Sequence, residues 1–152
     1  MRKKRELIDG ASYHVTSRTN NKCKVFECRV GRKMMLLILE KAKEKYGFHL
    51  SNFCIMPNHV HLLIKPADGT NLTTIIQWIK TKSAKCYNFH NGFIDHMWGE
   101  RFFSRAIKNQ TEFDTVMDYI DQNPVKAELV AKPSDWTASG AYYRKHGLEL
   151  VQ

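Results

Sequence analysis

With 43% hydrophobic and 26% charged residues in 152, the chain is excluded from the disordered class; it can build one core and is too short for two ordinary domains. Lys and Arg outnumber Asp and Glu by 24 to 15, a net charge of +9, and that excess favours a polyanionic partner, nucleic acid ahead of a membrane surface. No apolar run reaches the roughly 18 residues of a spanning helix, the basic start has no signal-peptide core behind it, and a cytoplasmic protein is expected.

Residues 1–6 hold Arg2, Lys3, Lys4 and Arg5, a basic arm that is either a solvated tail or a segment ordered on a phosphate backbone. Ala11 to Thr16 alternates, with Ala11, Tyr13 and Val15 on one side, and reads as a first strand. His14 falls on its other side as a hydrogen-bonding bystander. Arg18 to Lys24 is polar and basic, a loop suited to phosphate contact. From Val30 to Tyr46 the period turns helical, with Met34, Leu37 and Ile38 apolar, and Gly47 ends the helix.

Phe48 to Met56 reads as a second strand, joined through the turn dipeptide Pro57-Asn58 to the strand His59-Val60-His61-Leu62-Leu63-Ile64. Alternation points His59 and His61 the same way, about 7 Å apart at Cα, while Val60, Leu62 and Ile64 point to a face that can be buried. Two imidazoles so placed can converge on one ion, or they can be two unrelated histidines. Gly69-Thr70-Asn71 caps the next helix, whose apolar side carries Leu72, Ile75, Ile76, Ile79, Cys86 and Tyr87 and whose other side carries Lys80, Lys82 and Lys85. Cys54 and Cys86 sit in apolar patterns as core thiols, and the four cysteines lack the paired C-x-x-C spacing of a zinc site.

Trp98 to Phe103 suggests a loop leading into a short strand. Thr111 opens a third helix, with Asp114 as an imperfect capping partner and Phe113, Val116, Met117 and Ile120 as its buried stripe. Asn123-Pro124 ends it, because the residue before proline avoids helical geometry. Tyr119 and Asn123 lie one turn apart beside the stripe, and Gln122 points away. Taken alone, Tyr119 reads better as a partly buried tyrosine whose hydroxyl meets water than as a cleft residue. Residues from about 131 to 152 form a tail anchored by Trp136, Tyr142 and Tyr143. The element order fits an α+β domain spanning residues 1–152, an antiparallel sheet with helices on one face, and the histidines facing away from them or towards a helix that brings a further ligand.

Met56-Pro57-Asn58-His59-Val60-His61-Leu62-Leu63 resembles the signature of the HUH single-tyrosine transposases. Tyr119-Ile120-Asp121-Gln122-Asn123-Pro124-Val125-Lys126-Ala127-Glu128-Leu129-Val130 resembles the tyrosine helix of their REP-associated branch, the IS200-like transposases. Tyr13 to Thr16 and Trp98 to Phe102 are similar to that branch too, in the expected order; Glu128 departs from it, where glycine is expected. The resemblance implies a ferredoxin-like fold, Tyr119 as nucleophile, and His59, His61 and Asn123 holding Mg²⁺ or Mn²⁺. It implies cleavage of single-stranded DNA through a 5′-phosphotyrosine, on DNA folded as an imperfect palindromic hairpin. Arg2, Lys3, Lys4, Arg5, Arg18, Lys82 and Lys85 would contact phosphates. Insertion-sequence relatives are dimers and the REP-associated branch tends to monomers, so a monomer is favoured over a homodimer. Three rivals remain: a catalytically silent DNA-binding regulator of the same fold, an RNA-binding domain, and a histidine-triad hydrolase. The last wants a third histidine where Leu63 stands.

Overall fold

A computed structural model describes residues 4–5, 7–91, 96–99 and 101–150, the side chains of 90 and 91 excepted. Its elements run β1 (Tyr13–Arg18), α1 (Arg29–Tyr46), β2 (His49–Met56), β3 (His59–Lys65), α2 (Leu72–Asn91), β4 (Phe103–Ala106), α3 (Gln110–Lys126) and α4 (Gly140–Lys145), with short 3-10 turns at Asn20–Lys22 and Pro133–Asp135. The sheet order is β2-β3-β1-β4 and every pairing is antiparallel. This is the ferredoxin-like α+β arrangement.

The expected elements form for the expected local reasons. Gly47 closes α1 in the left-handed region at φ 67°, its N–H donating to the Lys43 carbonyl. Asn71 caps α2 by accepting from Thr73 N at 2.8 Å. Pro57-Asn58 turns β2 into β3, with Met56 paired to His59.

Both faces of the sheet are covered, which corrects the one-sided expectation. α1 and α2 lie over Tyr13, Val15, Phe53, Ile55, Val60, Leu62 and Ile64 and complete the main core. On the opposite face α3 drops Val116 and Ile120 onto Cys54, Met56 and Leu63, a second small core. In α1 the buried residues are Met35, Ile38, Leu39 and Ala42, while Leu37 is exposed.

Four further details differ from the sequence expectation. β1 runs on to Arg18, so Arg18 ends a strand instead of opening a loop. Asn109 caps α3, accepting from Glu112 N at 2.9 Å, so the helix starts before Thr111. It continues through Pro124 to Lys126. Proline's fixed φ is compatible with the last turn, and its ring is buried there. Finally, the C-terminal segment is structured. Trp136 Nε1 donates to the Ile55 carbonyl at 2.9 Å, Tyr143 packs edge-on against Phe53 at 5.2 Å, and α4 is capped by Ser139.

One polar knot ties α3 and α4 to the sheet. Asn52, 1% exposed, donates Nδ2 to the Met117 carbonyl and to Asp121 Oδ1, and accepts from Phe53 N and Arg144 Nη1. Arg144 Nη2 reaches both Asp121 oxygens, at 2.7 and 2.6 Å. Gly140 is required beside it, because a Cβ there would lie 2.0 Å from Asn52 Oδ1.

Candidate active site

The register of the sheet assembles the site. On the α3 face, Cys54, His61, Thr16 and Phe103 form one row across the four strands. Met56, His59 and Arg18 form the row on one side of it, and Asn52, Leu63, His14 and Arg105 the row on the other. α3 covers the β2 and β3 ends of these rows with apolar side chains. Its uncovered flank places Tyr119 over β1 and β3.

Tyr119 is 45% exposed. Its ring meets His14 and His61 edge to face, at centroid distances of 5.7 and 5.6 Å. His59 and His61 lie 4.9 Å apart by ring centroid. His14 stacks on His61 at 5.3 Å, its Nε2 3.0 Å from His61 Nδ1, and Thr16 Oγ1 is 3.2 Å from the same nitrogen. His59 Nδ1 donates to Asn58 Oδ1 at 2.7 Å.

The three histidines are held neutral. Burial, then the neighbouring His59, His14 and Arg18, push His61 down to about 3. Burial and Arg105 push His14 down to about 4. Burial and Arg18 lower His59. With Nδ1 of both His59 and His61 engaged, Nε2 of each is the atom left to bind a cation, the arrangement by which outer partners orient imidazole ligands.

Asn123 sits one turn beyond Tyr119, as its spacing requires. Its Nδ2 donates back to the Tyr119 carbonyl at 3.1 Å, which leaves Oδ1 as the oxygen a cation could use. Two neutral imidazoles and an amide oxygen suit a divalent ion with several open positions. No group of three or more His, Cys, Asp or Glu side chains among the described residues forms a metal cage, so any ion here would rest on this mixed donor set.

The basic residues separate into distinct situations. Arg2 and Lys3 lie outside the described residues. Lys4, Lys82 and Lys85 are exposed, Lys82 lying over the Trp78 ring at 5.7 Å. Arg5 is folded in: its guanidinium stacks on Phe102 at 3.6 Å and donates to the Phe102 carbonyl at 2.8 Å. Arg18 is exposed at the end of β1, level with His59. Lys80 is half-buried, donating to the Gly99 carbonyl at 3.3 Å.

Sequence reasoning missed His14, Thr16, Phe103 and Arg105 as site neighbours. Alternation of β1 about Tyr13 puts His14, Thr16 and Arg18 together, and that signal was available. The pairing of β4 with β1, which brings in Phe103 and Arg105, was not.

Comparison with known proteins fits this geometry. The family described as Transposase IS200 like matches residues 8–123. A Haemophilus influenzae protein, provisionally named a REP-associated tyrosine transposase, is 30% identical over 106 residues, 63% of this chain and 60% of that protein. The REP-associated tyrosine transposase of Escherichia coli K12 is 27% identical over 107 residues, 70% of this chain and 62% of its own. The chain therefore spans about three fifths of the length of these curated relatives. Among solved structures, a REP-associated tyrosine transposase bound to a REP hairpin superposes with a TM-score of 0.81 at 24% identity, over 98% of this chain and 88% of that one. A provisionally assigned transposase from Deinococcus radiodurans gives 0.56 at 20% identity, over 80% and 97%. With the family matched across most of its length and the fold reproduced, the chain belongs to the IS200-like transposase family.

Proposed function

We propose that this chain cuts and rejoins single-stranded DNA with Tyr119 as nucleophile, on a substrate folded as an imperfect palindromic hairpin. The observation that carries this reading is the seating of a half-exposed tyrosine against His61, with His59 beside it and Asn123 one turn along the same helix. The hairpin is proposed because the structural neighbour is a transposase bound to one, and because the chain carries a net charge of +9.

In the proposed reaction Tyr119 Oη attacks the scissile phosphorus and loses its proton. The P–O3′ bond breaks, and the 3′-oxygen leaves as a hydroxyl after taking up a proton. The 5′-phosphotyrosine so formed conserves the bond energy, so a second 3′-hydroxyl can displace the tyrosine and join strands without a nucleotide cofactor. His59, His61 and Asn123 would hold Mg²⁺ or Mn²⁺, which when bound supplies Lewis-acid stabilisation of charge on the phosphate oxygens. His14, Thr16 and Asn58 hold the two imidazole ligands in place. Lys4, Arg18, Lys82 and Lys85 are proposed phosphate contacts, with Arg2 and Lys3; Arg5 is proposed in a supporting role, because Phe102 already holds its guanidinium. A monomer is proposed, because Tyr119 meets the histidines of its own chain.

The test is covalent capture. With Mn²⁺ and labelled hairpins copied from the DNA beside the chain's own gene, the wild type should yield a protein–DNA adduct that survives denaturing electrophoresis. Tyr119→Phe should yield none. An adduct that persists in that variant would move the nucleophile elsewhere. No adduct from the wild type on any hairpin would favour a silent DNA-binding regulator.

A further inference from the structure

Beside Tyr119, between α3 and the β4 edge, lies an open cleft of about 570 Å³, within the range of about 300–1,000 Å³ usual for small-ligand sites. The sheet forms its floor. Phe103 on the edge strand β4 is one floor residue and is 62% exposed, with Thr16 opposite it on β1. Arg101 and Arg105 flank Phe103 on its own chain segment, and Arg18 stands one pleat along from Thr16. All three arginines are exposed, and all three line the cleft. Among the described residues no carboxylate lines it. Thr115 and Tyr119 make the helical wall.

Two features of this cleft are unfavourable in the unliganded protein and are explained together by one ligand. Three arginines line one cleft with no carboxylate among the described lining residues, which calls for an anion. A phenyl face is left open on the floor among them, which calls for a flat apolar surface. Edge-strand protection accounts for charges on β4, but it gives no reason for an exposed phenyl ring between them. We infer that the cleft receives one unpaired nucleotide of the substrate strand, its base stacked on Phe103 and its phosphates held among Arg18, Arg101 and Arg105. A paired base cannot be used, because its faces are already stacked in the duplex. This rests on the proposed single-stranded DNA reading and adds to it the position where the strand next to the scissile phosphate is gripped.

The experiment is an abasic scan. A hairpin oligonucleotide with single-stranded flanks copied from the DNA beside the chain's own gene is prepared with one base removed at each flank position in turn. Binding is measured by fluorescence anisotropy at fixed salt without added metal. One position should lose on the order of tenfold in affinity, the size of a stacked base. Phe103→Ala should lose as much on the intact oligonucleotide and lose nothing more on the abasic one, whereas Phe103→Trp should bind as wild type does. Arg18→Ala and Arg105→Ala should each flatten the salt dependence by about 0.7 in log–log slope. A flat scan, or Phe103→Ala binding like the wild type with an unchanged melting temperature, overturns the inference. Adduct formation by the wild type is scored on the same oligonucleotides. An adduct with a flat scan removes this subsite and leaves the nuclease standing, while a stacking signature without any adduct removes the nuclease and leaves the subsite.

Discussion

His14 Nε2 and His61 Nδ1 face one another at 3.0 Å across the β1–β3 pairing. Only one proton can lie between two neutral rings. If it belongs to His61 Nδ1, the His61 Nε2 lone pair is directed at a cation, and His14 acts as the orienting partner. His14→Ala should therefore weaken Mn²⁺ binding to the DNA-free protein by about 10–100-fold, the usual cost of losing an outer partner. Titration followed by the electron paramagnetic resonance of unbound Mn²⁺ checks this, and His14→Gln should recover part of the affinity. Equal affinity in wild type and His14→Ala would reduce His14 to packing.

The same rings set an acid limit on stability. In the unfolded chain a histidine titrates near 6.5, while in the fold His61 and His14 titrate at about 3 and about 4. The unfolded state thus takes up protons that the native state refuses. The stabilisation is present above pH 6.5 and is lost as pH falls below it, through about 4 for His14 and about 3 for His61, by an uptake of up to about one proton per ring. Thermal melts in EDTA should show the melting temperature falling through this window, and His14→Gln should make the fall shallower.

Asn123→Ala should separate the proposed metal function from the proposed nucleophile, Tyr119. The substitution keeps the Tyr119 hydroxyl and removes one proposed oxygen ligand. Adduct formation should slow at low Mn²⁺ by at least the 10–100-fold typical of outer partners and recover as Mn²⁺ is raised. A defect that no concentration of Mn²⁺ relieves would assign Asn123 to positioning α3 instead.

Arg144→Ala should destabilise the fold by about 1.5–3 kcal/mol, the range for hydrogen bonds to charged groups. It breaks the two-pronged pairing with Asp121 and takes a donor from the buried Asn52. Urea unfolding followed by circular dichroism measures the change. Lys145→Ala, one position along on α4 and exposed, is the control and should change stability by no more than about 0.5 kcal/mol.

Much of this is legible in the sequence. Strand alternation put His59 and His61 on one face, and helical spacing put Tyr119 and Asn123 on one flank. What alternation cannot give is the partner across the sheet. His14 became a neighbour of His61 only through the β1–β3 register, and Phe103 entered only through a four-residue strand too short to show a period. The end of α3 was misread because the proline rule describes the average residue before proline, and here burial of the Pro124 ring outweighs it. Arg5 looked like a solvated cation because its partner, Phe102, is 97 residues away.

Cys54 is 0% exposed on the floor beneath α3, where Val116 and Ile120 cover it. Burial, then Asp121, pushes its thiol up to about 12, so at pH 8 it is inert while the helix stays down. A thiol reagent should modify the exposed Cys23 and Cys28 at once, the half-buried Cys86 next, and then wait on Cys54. Its labelling rate becomes a clock for how often the tyrosine helix lifts from its own sheet. Such lifting is what any exchange of the helix between two copies would require. If that rate rises in Arg144→Ala at denaturant levels that leave the circular dichroism unchanged, the Asp121–Arg144 pair is the latch that keeps Tyr119 over its own sheet.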